Sequence, residues 1–345
     1  MEKHGLQVSN EDPCLFYSTV ERHKFIIALY VDDGLVAAED AADLEQFLEE
    51  LRSQFCVTGS PLSCFLGLQI TQLQDGSVSV SQENYTKKVL QRFNMCDCNK
   101  VATPVDSVTV HDVNSCVAEQ EPYREAVGSL MYLATGTRPD IAFAVSTVSQ
   151  ALEKPTKADW NNVKYILRYL KGTYQMGILY QTGYQTGVLT TYSDADYAGD
   201  ISTRRSTSEV VCQYMGGPVS WLSQKQKSVA LSTTEAEFMA ASEAAKEVIW
   251  LSRLLSEITT LTETPVLKID NLSAVKLVKN PTFHRRSKHI EVRHFFVREK
   301  FDEGRLTVEH IPGVEQVADI LTKPLNKSSF QMLRNIIGVK CISGF

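Results

Sequence analysis

A chain of 345 residues, 43% apolar and 22% charged, is long enough for two or three domains and has the make-up of ordinary globular proteins, with no internal repeat or low-complexity tract. Its longest apolar run, Phe25 to Val31, falls far short of the roughly 20 residues a membrane helix needs, and the polar start MEKHGLQVSNEDP lacks the apolar stretch of a secretory signal. The net charge of −6 argues against a uniformly basic nucleic-acid binder, and eight scattered cysteines fit a reducing, intracellular compartment.

In chain order, residues 24–38 read as two apolar strands around a turn at Asp32-Asp33-Gly34. Residues 41–55 form an amphipathic helix with Leu44, Phe47, Leu48 and Leu51 on one stripe. FLGLQI (65–70), a turn at Asp75-Gly76, a strand in which Val78 and Val80 alternate with serines, and a helix over 81–94 with Tyr85, Val89 and Phe93 on one face complete a mixed α/β first hundred residues. Cys96 and Cys98, the closest cysteine pair, lack the companions a zinc site needs. Residues 101–120 are polar and unpatterned, a linker or exposed loop. Residues 123–172 look helical, broken at 137–140 (TRPD) and at Pro155, and 181–187 reads as a boundary.

The last third has another rhythm. Strands at 188–193, 208–215 and 218–223 precede a long helix at 232–258, where Ser232 as N-cap and Glu235 three residues on suggest a capping box. Strand 265–270, helix 271–280, strand 305–311 and helix 314–325 follow. This order describes one mixed sheet with flanking helices. Between 276 and 300, eight lysines and arginines, among them Arg285, Arg286 and Lys288, face only Glu291 and Glu299, so an acidic chain carries a local basic stretch able to hold phosphates.

Four acids of this last third sit where lone carboxylates are costly. Asp194 and Asp270 end strands, while Glu237 and Asp319 lie among apolar helix neighbours. A cation resolves that cost, and an all-oxygen donor set suits Mg²⁺ or Mn²⁺ rather than zinc. Several carboxylates can hold two ions about 3.5–4 Å apart, a clamp for phosphodiester chemistry. Taken singly, each acid also fits a turn, a cap or a solvated surface.

The segments YSDADYAGD, RRSTS, SWLSQKQKSVALSTTEAEFMA, IDNLSAVKL, NPTFHRRSKHIEVRHFFVRE and VEQVADILTKPL resemble the ribonuclease H domain of copia-type retrotransposons over about residues 188–340. The resemblance implies a ribonuclease H fold and hydrolysis of the RNA strand of RNA–DNA hybrids with two Mg²⁺ (or Mn²⁺) ions. It maps the metal-binding, catalytic acids onto Asp194, Glu237, Asp270 and Asp319, with Asp196 the alternative to Asp194 and Glu235 to Glu237. Thr233, Thr234, Asn271 and Gln224 are candidates for contacts near the 2′-hydroxyls. His310 stands near the loop where some ribonucleases H carry a proton-carrying histidine, but within a strand. Two departures are Asp159, where the family usually has His, and Glu209, where it usually has Gly.

YVDD at 30–33, with FIIALYVDDGLVAA, FLGLQI, SQENYTKKVL and YREAVGSLMYLATGTRPDIAFAVS, resembles the copia reverse transcriptase from mid-palm onward. Asp32 and Asp33 would be its metal carboxylates. Only about thirty residues precede this motif, whereas the family's fingers and first palm aspartate lie upstream, so polymerisation is not expected. The expected partition is 1–100, the C-terminal half of the palm; 101–184, a mostly helical thumb- or connection-like part; and 185–345, a ribonuclease H domain folding by itself. The expected fold class is α/β, an α+β palm remnant and helical connection followed by a ribonuclease H-like mixed sheet. The expected partners are an RNA–DNA hybrid and other parts of the polyprotein, with no membrane, in the cytoplasm, nucleus or a virus-like particle. A non-catalytic relic that keeps at most nucleic-acid binding is the alternative.

Overall fold

The computed structural model describes residues 5–18, 24–106, 121–200, 202–279 and 291–342. A first sheet joins β1 (Leu6–Val8), β2 (Leu15–Ser18), β3 (Phe25–Tyr30) and β4 (Asp33–Ala38) in sequential order, every pairing antiparallel. Tyr30 pairs with Asp33, so the turn consists of Val31 and Asp32, earlier than the Asp-Gly dipeptide suggests. Val31 takes a left-handed φ of 55°, a conformation a β-branched residue rarely adopts. Helix α1 (Ala41–Gln54) is capped by Asp40, whose carboxylate accepts from the backbone N–H groups of Ala42 and Asp43, and it buries Phe47 against Phe25.

A second sheet is assembled from distant parts of the chain. Its order is β14 (Val339–Cys341), β8 (Met176–Tyr180), β7 (Val78–Ser81), β6 (Leu68–Gln72), β5 (Cys64–Phe65). In β7 it is Ser79 and Ser81 that are buried, while Val78 and Val80 are half-exposed, the reverse of what the alternation suggests. The reason lies in β8, where Gly177 leaves the room that Ser81 fills. Between β7 and β8 run α2 (Glu83–Arg92), α3 (Tyr123–Gly136), a 3-10 turn (Pro139–Ile141), α4 (Ala142–Ser149) and α5 (Lys157–Thr173). Asp159, a departure from the resembled pattern, completes a capping box with Thr156 at the start of α5.

The third sheet has the order β11 (Gly217–Lys225), β10 (Thr207–Tyr214), β9 (Thr190–Asp196), β12 (Val266–Ile269), β13 (Thr307–His310). The first three strands are antiparallel, and β12 and β13 run parallel to β9. The mixed sheet read from the sequence is thus present, built on the β9–β12 switch. Met215 and Gly216, both at positive φ, make the two-residue turn from β10 to β11. Helix α6 (Thr233–Ile258) packs across β9, β10 and β12, and with α7 (Leu272–Lys279) and α8 (Glu291–Asp302) it closes a core containing Val210, Cys212, Phe238, Val248, Leu267 and Val297. Val211 points to the other face, into a second core with Leu130, Leu167, Ile320 and Leu333.

One expected helix is absent. Residues 314–325 form two 3-10 turns, Gly313–Glu315 and Val317–Leu321, and the α-helix begins later, as α9 (Lys327–Ile336) capped by Asn326. Gln316 is extended between the turns and its side chain accepts from the Ala318 N–H, while Pro324 precedes α9. The first sheet docks on the exposed side of α6, where Glu257 accepts from the Ser9 hydroxyl (2.5 Å) and the Asn10 N–H (3.0 Å).

The apolar core around α3, α4 and α5 runs from Val89 to Val339, and Val339 pairs with Ile178 of β8, so α9 and β14 rest on elements that precede residue 185. Their polar anchor is Arg138, 1% exposed, which donates to both oxygens of Asp140 (2.9 and 2.8 Å) and to the Thr173 carbonyl (3.0 Å). Tyr169 donates to Asp140 (2.5 Å) and accepts from Arg334 of α9 (3.0 Å). Arg138→Met would strand the Asp140 carboxylate. A destabilisation of about 3–5 kcal/mol is expected in urea unfolding followed by tryptophan fluorescence; a cost near zero would show that the pair does not anchor the core.

Candidate functional site

The parallel pairing of β12 with β9 sets Ile269 beside Ser193, so the next residue on each strand, Asp270 and Asp194, emerges side by side at the same end of the sheet. Asp194 does not end its strand as the sequence suggests; β9 continues to Asp196. Glu237 comes from the second turn of α6, on the face that carries the buried Ala236, Ala240 and Ala241. Ligand oxygens of Asp194, Glu237 and Asp270 lie within 4.8 Å of one another. Asp194 and Glu237 are buried and Asp270 is half-buried.

Asp319 reaches the cluster from the Val317–Leu321 turn rather than from an α-helix. Its carboxyl raises the Asp194 carboxyl, and the Lys323 ammonium lies 2.7 Å from its Oδ1. The two alternative acids are engaged elsewhere. Asp196 accepts from the Thr207 backbone N–H. Glu235 accepts from the Leu231 N–H (2.8 Å), while Ser232 accepts from the Glu235 N–H (3.1 Å), so the cap is not the reciprocal box expected.

Burial first, and then Asp319 and Asp270, push the Asp194 carboxyl above the usual carboxylate range against the pull of Lys323. Burial, Asp194 and Asp270 raise Glu237 further. Asp270 is raised by burial and Asp319, with Lys323 and a hydrogen bond from Gln316 opposing. Burial alone would lower Lys323, but Asp319, Asp194 and Asp270 outweigh it and raise its affinity for the proton. One oxygen of Glu237, Oε2, is buried with no hydrogen-bond partner. Converging carboxylates with an orphaned oxygen, and no nitrogen or sulfur donor in the group, fit a hard divalent cation such as Mg²⁺ or Mn²⁺.

The other expected residues are more dispersed. Thr233 is exposed and Thr234 half-buried in the first turn of α6. Asn271 accepts from the Ala274 N–H (3.0 Å) and so caps α7, and Gln224 is exposed on β11. His310 Nε2 lies 3.1 Å from the Asp270 carbonyl oxygen. Arg285, Arg286 and Lys288 lie outside the described residues. Within α8, Arg298 pairs with Asp302 (3.4 Å) and Lys300 with Glu299 (2.7 Å). Asp32 and Asp33 are exposed on the hairpin of the first sheet and do not join the cluster. Two residues beside the acids, Lys323 and Gln316, are missed by a reading of the sequence. Lys323 was visible as a cation four residues after Asp319. Gln316, fully buried and donating to the Ser193 carbonyl (2.8 Å), carried no signal.

Residues 1–107 match the family described as reverse transcriptase (RNA-dependent DNA polymerase). The retrovirus-related Pol polyprotein from transposon TNT 1-94 of Nicotiana tabacum is 40% identical over 339 residues, which cover 95% of this chain and 25% of that protein. The corresponding polyprotein from transposon RE2 of Arabidopsis thaliana is 38% identical over 97% of this chain and 23% of its own length. The chain thus spans about a quarter of the length of these relatives. Among solved structures, the foamy viral protease-reverse transcriptase dRH in complex with ds DNA aligns with 83% of this chain and 46% of its own (TM-score 0.48, 13% identity). LC11-RNase H1 in complex with RNA/DNA hybrid aligns with 39% of this chain and 92% of its own (TM-score 0.31, 14% identity).

Asp194 and Glu237 hold protons more tightly in the folded chain than in the unfolded one. Without divalent ions their contribution to stability is full below the unfolded values, 3.8 and 4.5, and is lost as pH rises through the higher folded values. In EDTA the denaturation midpoint is therefore expected to fall from mildly acidic to mildly alkaline solution, and Asp194→Asn to flatten the fall. A wild-type midpoint that rises over this window would contradict the assignment.

Proposed function

Because the chain belongs to the copia-type retrotransposon Pol polyprotein family, we propose that its last third hydrolyses the RNA strand of RNA–DNA hybrids. The observation that carries this reading is the convergence of Asp194, Glu237 and Asp270 at one end of the mixed sheet. Two Mg²⁺ or Mn²⁺ ions, when bound there, supply the positive charge that activates a water and stabilises the leaving 3′ oxygen.

The chain's own groups have the following parts in the proposal. Asp194 and Asp270, fixed level by the β9–β12 pairing, are the central ligands. Glu237 is a ligand on the substrate side, and Asp319 a peripheral one whose charge Lys323 shares. Thr233, Thr234 and Asn271, near the start of α6 and α7, would face the minor groove, where the 2′-hydroxyl distinguishes RNA from DNA. Arg285, Arg286 and Lys288 would bear on phosphates. Asp32 and Asp33 belong to the polymerase-like part and have no share in this chemistry. Among the described residues no helix is long and apolar enough to cross a membrane.

A second reading, binding of hybrid without cleavage, is favoured by one observation: the Lys323 ammonium on Asp319 occupies part of the acid set.

A labelled RNA–DNA hybrid decides between them. Wild type with Mg²⁺ or Mn²⁺ is expected to cut the RNA strand and spare double-stranded DNA. Asp194→Asn and Asp270→Asn, each shown to be folded, should lose activity by orders of magnitude, and Asp319→Asn by about tenfold, the lower end of what supporting groups of metal sites cost. Wild type inert in both metals would favour the binding-only reading; Asn variants as fast as wild type would refute the site.

A further inference from the structure

Glu209 of β10 stands directly opposite Asp194 of β9. Residues paired in this way project from the same face of an antiparallel sheet, with Cβ atoms about 5 Å apart. Like charges so placed repel, and strands do not ordinarily put two acids there. Glu209 is moreover 0% exposed, and neither of its carboxylate oxygens has a hydrogen-bond partner. The charges that act on it most strongly, Asp194, Asp196, Glu237 and Asp319, are all acidic. The basic groups nearby are engaged, Lys323 with Asp319 and Lys225 with Asp200.

Buried polar atoms almost always find partners, and a carboxylate with two empty oxygens is the costliest exception. Gln226 Nε2, also buried in this region, donates to the Ser208 hydroxyl (2.9 Å), while Gln226 Oε1 has no partner. The partner Glu209 lacks is a cation, and the strand pairing sets it on the same face of the sheet as Asp194.

We infer that Glu209 is a fifth carboxylate of the acidic site, placed opposite Asp194 to bind a divalent ion from the β10 side. The inference rests on the ion site proposed above and extends it. It adds a ligand at a position where the resembled family usually carries glycine, which has no side chain to contribute. Oxygen-ligand sites tune affinity by the charge count of their carboxylates, so this chain would hold its ion more tightly than a site of four acids and, without the ion, would bear a larger repulsion.

The test is titration of the full-length chain with Mn²⁺ by calorimetry and by electron paramagnetic resonance of the free ion, which needs no substrate. Wild type, Glu209→Gln, Glu209→Gly and Asp270→Asn are compared, with circular dichroism reporting that each is folded. Glu209→Gln keeps the size of the side chain, and Glu209→Gly removes it, so one variant remains informative if the other unfolds. The expected result is Mn²⁺ affinity weakened about 10- to 100-fold in both Glu209 variants, the range for groups that support a metal site, and lost in Asp270→Asn. If the Glu209 variants bind Mn²⁺ as tightly as wild type while Asp270→Asn does not, Glu209 is no ligand and the proposed ion site stands without it. If wild type binds no Mn²⁺, both fall.

Discussion

The far side of the acidic cluster is held in place by one buried guanidinium. Arg138 meets both oxygens of Asp140 in the parallel, bidentate manner that makes such pairs strong, and its remaining donors reach the Thr173 carbonyl and hydroxyl at the end of α5. Burial alone would raise the Asp140 carboxyl, yet Arg138 and the Tyr169 hydroxyl outweigh it and hold it below the usual range. Because Tyr169 in turn accepts from Arg334, the network ties the α3–α4 junction, α5 and α9 into one layer. Asp319 and Lys323 lie in the short stretch just before α9. A change at Arg138 is therefore expected to act on the acidic cluster through the seating of that stretch, although Arg138 pairs with none of those acids.

Polar contacts then fasten this layer to the third sheet. Trp221 of β11 donates to the Ala134 carbonyl (2.8 Å), Gln213 of β10 to the Ile336 carbonyl (2.8 Å), and Gln316 to the Ser193 carbonyl of β9 (2.8 Å). Each joins groups distant in sequence. Gly338, at φ +95°, comes so close to the backbone of Gly216 that a Cβ there would collide with it. The sheet that presents Asp194 and Asp270 is thus covered on both faces, by α6 on one and by the α3–α5 and α9 layer on the other, and its strand ends have little freedom to drift.

The sequence exposed those parts of the structure that rest on local pattern. The strand–helix order of the last third, the Ser232 cap and the apolar stripe of α1 all follow periodicities a single segment carries. The convergence of three acids could be anticipated because buried carboxylates are conspicuous among apolar neighbours. What stayed hidden was non-local. TRPD at 137–140 reads as a helix break; that its Arg and Asp form the buried anchor of a layer depends on Thr173, Tyr169 and Arg334, which no window contains. The inverted faces of β7 depend on Gly177 in a strand almost a hundred residues later. Asp319 reads from the sequence as a helix residue beside Ala318 and Ile320, but Gln316 and Pro324 break the segment into tight turns. The alternatives Asp196 and Glu235 were separated from Asp194 and Glu237 only by their backbone hydrogen bonds, which depend on where β10 begins and how the loop before α6 closes.

The two acidic motifs of the chain also differ in what their surroundings demand. Asp32 and Asp33 project from an exposed hairpin, where water solvates both charges and no counter-ion is needed to keep the turn folded. Asp194, Glu237 and Glu209 are walled in by strand and helix, and every further acid added to that enclosure raises the cost of the others. A fold retains such a liability only where the opposing stabilisation is large, and here it comes from the two apolar cores on either side of the sheet, neither of which includes the acids. The cluster can therefore stay strained without an ion while the sheet beneath it holds its shape, which is the preorganisation a cation site requires.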